Sequence, residues 1–332
     1  MKTDCDIDFV IPWVDGSDPE WLAEFNKYAP TEQRRDIDRS EKRYRDYGLL
    51  RYWFRGVEKF APWVNKVHFI TCGQKPAWLN LAAPKLHWVR HSDYIPAEYL
   101  PVFSANPIEL MMHRIPGLAE QIVYFNDDFF LTAPVRKNFF FRNGLPCDSA
   151  VMNALSATGM GRIVFNDLFC INAFFDRNKV IKRNWTKWLH PVYGRSLFRT
   201  LCLLPWRLFT GFYDPHWAVP YQKKTLEEVW AAFPEILGST MRSRFRSDSD
   251  VNQWLFRYWQ LCKGEFAPVS PCKGKAYFDM TYPVEQICRA IRDRNIKEIV
   301  LNDNDVPDFA IKMEKIRQAF ESILPEKSSF EL

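Results

Sequence analysis

Apolar runs and helix-like repeats alternate through the first 135 residues of the chain. Four short apolar runs, each typical of a buried strand, extend over Ile7 to Val14, Val67 to Thr71, Leu86 to Val89 and Ile122 to Phe125. Between them, apolar residues recur at helical spacing from Leu49 to Phe60, Asp18 is placed to cap a helix at Pro19, and Ile108 to Met112 begins a further helix. Strands separated by helices predict an α/β fold, a Rossmann-like, mostly parallel sheet with flanking helices.

The rest of the chain predicts an insertion followed by a return to this core. Residues 166–265 are rich in aromatic side chains, and their pattern predicts a mostly helical segment. Ile299 to Leu301 then has the pattern of a strand that can rejoin the same sheet, and a last helix is expected to turn Ile311, Ile316, Phe320 and Ile323 inward. We therefore divide the chain into a core (1–165), a largely helical insertion (166–265) and a returning segment (266–332).

Composition narrows the class of protein. With 332 residues the chain has room for two domains or one large α/β domain, and 47% hydrophobic and 26% charged residues are ordinary for a globular protein. The sequence contains no run of 18 apolar residues, so no membrane span is expected. The acidic N-terminus does not resemble a signal peptide. The eight cysteines are scattered without a CxxC pair, which favours reduced cysteines in a cytoplasmic protein.

The net charge of +5 is unevenly distributed. The block from Arg177 to Tyr213 carries eight basic residues and no acidic one, which leaves −3 for the rest of the chain. Tryptophan, phenylalanine and leucine are interleaved with these basic residues. Such a block suits contact with an anionic membrane surface, through Arg195, Arg199 and Arg207 among others, or single-stranded nucleic acid, or plain core packing.

Polar residues at strand ends form the first candidate site. Asp15 follows the first predicted strand and Asn126, Asp127 and Asp128 follow the fourth. In parallel sheets ligands bind beyond the carboxyl ends of the strands, and a divalent ion such as Mg²⁺ prefers oxygen ligands. Aspartate and asparagine are also common turn and cap residues, so a purely structural role stays open.

Two further segments could carry chemistry. His216 follows Pro215 in a loop-like stretch, and its imidazole is suited to removing a proton from a sugar hydroxyl. Arg246 ends a group of arginines before Ser247 to Asp250, which resembles the N-cap of a helix through Trp254. Guanidinium groups pair well with phosphate oxygens, although a solvated loop explains the arginines equally.

Four blocks, in order, give the sequence a family resemblance. The first contains Asp8 to Pro19; the second contains Arg45 to Tyr52, Ala61 to Lys66, Ser104 to Glu109, His113 to Leu118 and Tyr124 to Asp128; the third contains Pro215-His216 and Phe245 to Asn252; the fourth contains Leu301 to Asn304. Together they resemble the Stealth proteins, hexose-1-phosphoryltransferases that include bacterial capsular and exopolysaccharide phosphotransferases. The catalytic subunit of animal N-acetylglucosamine-1-phosphotransferase is in the same family.

The resemblance implies transfer of a sugar 1-phosphate from a nucleotide-diphosphate sugar, usually UDP-linked, to a hydroxyl of a glycan acceptor, with release of UMP, on a nucleotide-sugar-binding core similar to that of GT-A glycosyltransferases. On this basis we expect Mg²⁺ or Mn²⁺ as cofactor and no nucleic-acid partner, and we assign catalytic, substrate-binding and metal-binding roles to particular residues. The residues are His216, Arg246 and Asp127 for catalysis, Asp15, Arg51, Asn106, Arg114 and Asp250 for substrate, and Asp127, Asp128, Asn302 and Asp303 for the metal. If the acceptor is a lipid-linked glycan, the basic aromatic block from Arg177 to Tyr213 predicts peripheral contact with the inner face of the plasma membrane. The alternatives are a glycosyltransferase that releases UDP and a non-catalytic scaffold that binds nucleotide or glycan.

Overall fold

A computed structural model describes residues 5–29, 37–38, 44–156 and 160–332 of the chain. The strands are β1 (Ile7–Pro12), β2 (Ile37–Asp38), β3 (Val67–Thr71), β4 (Leu86–Arg90), β5 (Gln121–Tyr124), β6 (Phe129–Leu131), β7 (Phe141–Arg142), β8 (Leu145–Asp148), β9 (Val219–Gln222), β10 (Arg246–Ser247), β11 (Ala267–Pro268), β12 (Lys275–Asp279) and β13 (Glu298–Asn302). The α-helices are α1 (Pro19–Tyr28), α2 (Leu50–Phe60), α3 (Ala105–Leu110), α4 (Gly161–Phe174), α5 (Arg177–Arg183), α6 (Trp185–Trp188), α7 (Leu197–Leu203), α8 (Lys223–Ala232), α9 (Pro234–Met241), α10 (Trp254–Lys263), α11 (Val284–Arg292) and α12 (Phe309–Ile323).

The central sheet has the strand order β4-β3-β1-β5-β9. Its first four strands are parallel, as predicted, and β9 runs antiparallel to β5. The α/β fold with a mostly parallel sheet is therefore confirmed. After β1 the chain adds β3 and β4 on one side of β1 and then crosses back to add β5 on the other side. The strand order therefore reverses between β1 and β5, and ligands of such sheets bind at this point.

Both faces of this sheet are covered. Along β1, Phe9 and Ile11 point into one apolar cluster and Val10 points into the other, because side chains of a strand alternate between faces. The first cluster contains residues of α2, α11, α12, β6 and β13, and the second contains residues of α4, α8, α9 and α10. Helix α2 lies so close to β6 that a Cβ at Gly56 would be 2.8 Å from the Leu131 carbonyl oxygen. The two clusters fix the sheet from both sides.

Several elements differ from the sequence-based expectation. Helix α3 begins at Ala105, three residues before the expected start at Ile108, and ends at Leu110. The Ser104 side chain caps it, and Pro107 lies in its first turn, where proline is tolerated. Ile311 is exposed on α12, whereas Ile316 and Phe320 are buried as expected. Strand β9 was not predicted.

The last predicted strand does not join the central sheet. Strand β13 pairs in parallel with β12 and antiparallel with β6, in a separate three-stranded sheet. It still packs into the first apolar cluster through Ile299, Val300 and Leu301. Because β6 directly follows Asp128, this pairing carries the end of β13 to the end of β5. The division of the chain at residues 165 and 265 remains a prediction.

Among the described residues, the helices are too short or too polar to span a bilayer.

Candidate active site

A cleft of about 510 Å³ opens at the carboxyl end of the central sheet, beside the point where the strand order reverses. Its walls come from the ends of β1 and β5, from α3, from the loop before β9, from β10 and from the end of β13. Seven predicted site residues line it: Asn106, Asp127, Asp128, His216, Arg246, Asn302 and Asp303. The fold therefore brings together residues that are up to about 200 positions apart in the chain.

Acidic side chains from two strand ends face this cleft. Asp127 and Asp128 connect β5 to β6, and the Leu301 N–H donates to the Asp128 carbonyl oxygen at 3.0 Å, which holds the end of β13 beside them. Asp303 receives an ion pair from Arg45 at 3.4 Å through Oδ1, while its buried Oδ2 has no hydrogen-bond partner. An orphaned carboxylate oxygen at such a position is available to a cation or to a donor group of a ligand.

Burial weakens the acidity of two of these carboxyls, Asp127 and Asp303. It raises the pKa of Asp127 to about 7, with the negative charges of Asp128 and Asp46 adding to the effect. Burial also raises the pKa of Asp303, although Arg45 opposes the shift. Within the described part of the chain, no three His, Cys, Asp or Glu side chains are close enough to hold a metal by themselves. The donor set fits Mg²⁺ or Mn²⁺ as these ions bind at phosphate sites, with one or two carboxylates and the remaining ligands from substrate and water.

His216 faces the same carboxylates. Its Nε2 lies 3.6 Å from Asp128 Oδ2, its ring meets the edge of Phe129 at a centroid distance of 4.8 Å, and its side chain is 36% exposed to the cleft. The ring is thus oriented by a carboxylate and an aromatic neighbour while one side stays open to a substrate.

The loop that carries His216 is fastened on both sides. Before it, Asp214 Oδ1 accepts from the buried Arg257 at 2.5 Å and Asp214 Oδ2 accepts from the Tyr258 hydroxyl. After it, the Ala218 N–H donates to Glu298 on β13 at 2.5 Å. Arg257 is itself held by two bonds to Asp148, at 2.9 and 2.8 Å. The position of His216 therefore depends on a buried charge network outside the cleft, which we name the Arg257 clamp (Asp148, Arg257, Asp214 and Tyr258).

Arg246 enters the cleft from β10. Its Nη1 lies 3.0 Å from the Met160 sulfur, which borders the cleft at the start of α4. Nearby, Asn106 donates from Nδ2 to Asp250 Oδ2 at 2.9 Å, and Asp250 also accepts from the Ser247 N–H. Asp250 is completely buried and thus positions Asn106 and the β10 turn from behind.

The segment Ser247 to Asp250 does not cap α10, contrary to the sequence-based expectation. The Trp254 N–H at the start of that helix bonds to the Asn252 side chain instead.

Besides the buried Asp250, three predicted residues lie outside the cleft. Asp15 accepts from the Ser17 N–H and hydroxyl in a turn and lines a smaller neighbouring cavity of about 350 Å³, which shares Tyr44 and Arg45 with the cleft. Arg51, on α2, lies over the ring of Trp78, and Arg114 is exposed at the end of a short 3₁₀ turn. The geometry gives neither arginine a contact with the cleft.

The cleft also contains residues that sequence reasoning missed. Glu109 is buried on α3, where its Oε1 accepts from the Tyr124 hydroxyl at 2.8 Å, and burial raises its pKa to about 7. Arg45 and Tyr47 line the wall beside Asp303. An acidic residue inside the apolar run Ile108 to Met112 is a usable signal for Glu109, and Arg45 and Tyr47 lie in the second family block, which is the only signal for them.

Three family models match the chain. They are Stealth protein conserved region 1 over residues 6–32, conserved region 2 over residues 43–147 and conserved region 3 over residues 215–259. The matched regions contain the acidic pair, His216 and Arg246, which line the cleft, and Arg257, which holds the His216 loop from outside it.

Curated relatives match along the whole chain. The capsular polysaccharide phosphotransferase WcwK of Streptococcus pneumoniae is 39% identical over 337 residues, covering 100% of this chain and 99% of the relative. The receptor polysaccharide phosphotransferase WefC of Streptococcus oralis is 39% identical, covering 98% and 99%. The exopolysaccharide phosphotransferase cps2G of Lactiplantibacillus plantarum is 38% identical, covering 98% and 96%.

Among solved structures, galactosyltransferase LgtC, crystallised in complex with donor and acceptor sugar analogues, aligns with a TM-score of 0.39 at 10% identity, covering 95% of this chain and 96% of that one. The family assignment depends on the sequence matches instead, since three conserved regions and full-length relatives agree. The chain belongs to the Stealth family.

Proposed function

We propose that this Stealth protein is a phosphotransferase of cell-surface polysaccharide synthesis. It transfers a sugar 1-phosphate from a nucleotide-diphosphate sugar, UDP-linked in our proposal, to a hydroxyl of a glycan acceptor. The observation that carries the proposal is the meeting of His216, Arg246 and the Asp127-Asp128 pair in one cleft of a chain whose relatives are named polysaccharide phosphotransferases.

The reaction forms one bond to phosphorus and breaks another. The acceptor oxygen attacks the β-phosphorus of the donor, the bond between that phosphorus and the bridging oxygen breaks, and UMP leaves with the electron pair. His216 takes the proton of the attacking hydroxyl, and the nearby Asp128 carboxylate stabilises the imidazolium that forms. Arg246 neutralises negative charge on the transferring phosphoryl group.

A divalent ion completes the proposed site. Asp127 and Asp128, with Asn302 or Asp303 from the end of β13, would hold Mg²⁺ or Mn²⁺, which would supply positive charge against the diphosphate. The unpartnered Asp303 oxygen supports this assignment, because a buried carboxylate oxygen without a hydrogen bond is available to a cation. The negative charges of Asp128 and Asp46, which help to raise the pKa of Asp127, would also attract a cation to this place. Asn106, fixed by Asp250, orients the donor.

The proposal extends to the acceptor and its location. We place the enzyme at the cytoplasmic face of the membrane, where it acts on a lipid-linked glycan. The smaller cavity beside Asp15 adjoins the cleft at Tyr44 and Arg45. In our proposal it accommodates the parts of donor and acceptor that extend beyond the cleft.

The test separates phosphoryl transfer from its rivals. The protein is incubated with a panel of UDP-sugars, Mg²⁺ or Mn²⁺ and a glycan acceptor, and the released nucleotide is identified together with the phosphorus-31 spectrum of the product. UMP and a phosphodiester signal are expected. Release of UDP with a glycosidic product would instead establish a glycosyltransferase, and binding of UDP-sugars without turnover under all these conditions would favour a scaffold.

A further inference from the structure

We infer that one face of the helical region docks on an anionic membrane surface, which deepens the proposed function and rests on it for the identity of the acceptor. This face, which we name the aromatic face, consists of six exposed apolar side chains on α4, on α7 and in the segment that follows α7: Phe165, Phe169, Phe198, Leu201, Trp206 and Leu208.

Exposure of these side chains is unusual for their size. Phe169 and Phe198 are 71% and 70% exposed, and Trp206 and Leu208 are 55% and 58% exposed. Other aromatic residues of the same region, Trp188 among them, are completely buried. The aromatic excess of the region therefore divides into a part that packs in the core and a part that faces outward. A cluster of large apolar side chains at the surface marks a site of contact with another apolar body.

Hydrogen bonds join the two halves of the aromatic face. Asn172, one turn beyond Phe169 on α4, exchanges hydrogen bonds of 2.9 Å with both the N–H and the carbonyl of Phe209, the neighbour of Leu208. Arg177 at the start of α5 donates to the Leu203 and Leu204 carbonyls at the end of α7. Helix α4 and the α7 segment are thus held against each other, and we therefore treat their exposed apolar side chains as one surface.

The charge around this surface selects its partner. Of the eight basic residues between Arg177 and Tyr213, Arg177 is buried and Lys187 bonds to the Gly264 and Phe266 carbonyls. The other six are exposed, and the block contains no acidic residue: they are Lys179, Lys182, Arg183, Arg195, Arg199 and Arg207. Exposed aromatic side chains that alternate with exposed cations along the chain match the interface of an anionic bilayer, where the rings enter the headgroup layer and each cation gains from the surface potential.

The aromatic face is also adjacent to the cleft. Helix α4 starts next to Met160, which lines the cleft, and the side chain of Arg162 in its first turn pairs with Asp248 beside β10. At 1.5 Å per residue, Phe169 lies only about 12 Å along the helix from Gly161. A protein docked through this face would hold the cleft close to the bilayer, where a lipid-linked glycan presents its hydroxyls.

The experiment measures binding of the full chain to sedimented vesicles, without donor or acceptor. Vesicles of phosphatidylcholine with phosphatidylglycerol are compared with vesicles of phosphatidylcholine alone. The double variant Phe169→Ser/Phe198→Ser removes apolar contact and is matched by Ile311→Ser, an equally exposed apolar residue on α12. The double variant Arg195→Gln/Arg207→Gln removes charge and is matched by Arg289→Gln/Arg294→Gln, which are exposed elsewhere.

Wild type and both control variants should bind the anionic vesicles. Each test variant should bind about tenfold more weakly or worse, and added salt should weaken binding of wild type. Equal binding by test and control variants, or no preference for anionic vesicles, would overturn the inference. So would a dimer in solution that Phe169→Ser/Phe198→Ser dissociates, because the face would then belong to a second copy. Turnover with a water-soluble acceptor is measured separately, and its absence in wild type would contradict the proposed reaction without altering the vesicle result.

Discussion

At the scale of single residues, the chemistry of the cleft depends most on His216. Replacing it by glutamine keeps a polar atom near Asp128 but removes a group that can accept the hydroxyl proton. We expect turnover to fall about 100-fold or more, with donor affinity nearly unchanged, because general-base catalysis acts on the transition state. Steady-state kinetics and equilibrium binding of UDP-sugar measure the two effects. His190→Gln, outside the cleft, is the control, and equal activity of the two variants would refute the role of base.

Glu109 gives a prediction about pH. Burial raises its pKa from 4.5 to about 7, outweighing the Tyr124 hydroxyl and the charge of Arg246, which lower it. Between these two values the folded protein binds a proton that the unfolded chain releases, so stability falls as pH rises through this window, by roughly 3 kcal/mol at most. Glu109→Gln should remove this loss and be more stable than wild type above about pH 7.

The measurement is urea denaturation of both proteins at about pH 5 and about pH 8. The difference in unfolding free energy between variant and wild type should grow with pH. Glu98→Gln, at an exposed position, should show no such change. A constant difference for Glu109→Gln would mean that the carboxyl is already ionised at low pH.

Residues of the cleft could be predicted from the sequence where a few neighbouring positions already indicate their chemistry. His216 beside Pro215 and the acidic pair after a strand carry their chemistry within a few positions, and the fold places them in one cleft. Arg51 and Arg114 lie in motifs of the same family blocks, yet their side chains lie away from the cleft. A motif fixes the order of residues, whereas the direction of each side chain depends on which face of the helix packs.

At the scale of elements, the loop of His216 depends on the Arg257 clamp. Arg257→Met removes a buried cation from between Asp148 and Asp214 and leaves two carboxylates without their partner. We expect a loss of about 3–5 kcal/mol in unfolding free energy, and Arg257→Lys should recover only part of it because an ammonium cannot reproduce the fork of bonds. Urea denaturation measures the loss. Arg289→Met, on the exposed side of α11, should change stability by about 0.5 kcal/mol or less, and an equally small change for Arg257→Met would show that the clamp is not needed.

Elements with a complete local pattern were predictable and others were not. β1, β3, β4 and β5 are apolar runs bounded by polar residues, and the sequence indicates each of them. β9 is only four residues long and contains Pro220, so its pattern is too weak, and its place at the sheet edge comes from tertiary packing. On α12, Ile311 is five residues from Ile316, which turns it about 140° away from the buried stripe. Ile311 is exposed because of its position around the helix, although its side chain is apolar.

At the scale of the whole molecule, the block from Arg177 to Tyr213 shows that net charge does not tell which side chains are exposed. The sequence leaves core packing and membrane contact open for the same block, and the structure divides its aromatic residues into a buried group and an exposed group. Trp188, Phe209 and Phe212 are buried in the second apolar cluster, while Phe198 and Trp206 face outward. Since both kinds of aromatic residue alternate with bases along the chain, only the three-dimensional packing separates them.

The cleft joins distant parts of the chain, and this gives a prediction about stability. Asp127 follows β5, His216 precedes β9 and Asp303 follows β13, so in the proposed site a donor bound with its metal would contact all three. Binding to the folded state alone stabilises it by mass action, by about 2.7 kcal/mol at a ligand concentration of 100 times Kd. UDP-sugar with Mn²⁺ should therefore raise the thermal unfolding midpoint of wild type.

The variants Asp127→Asn and Asp303→Asn should lose most of this rise. Neither should be less stable than wild type without ligand, because each replaces a half-buried carboxylate, whose pKa is raised, by a neutral amide and relieves the cost of desolvating charge. Thermal denaturation with and without UDP-sugar and Mn²⁺ gives both quantities for each protein. Asp6→Asn, at an exposed position before β1, should retain the full rise. If Asp127→Asn and Asp303→Asn also retained it, the carboxylates at the two strand ends would not be metal or donor ligands, since a ligand cannot stabilise the fold through contacts that it does not make.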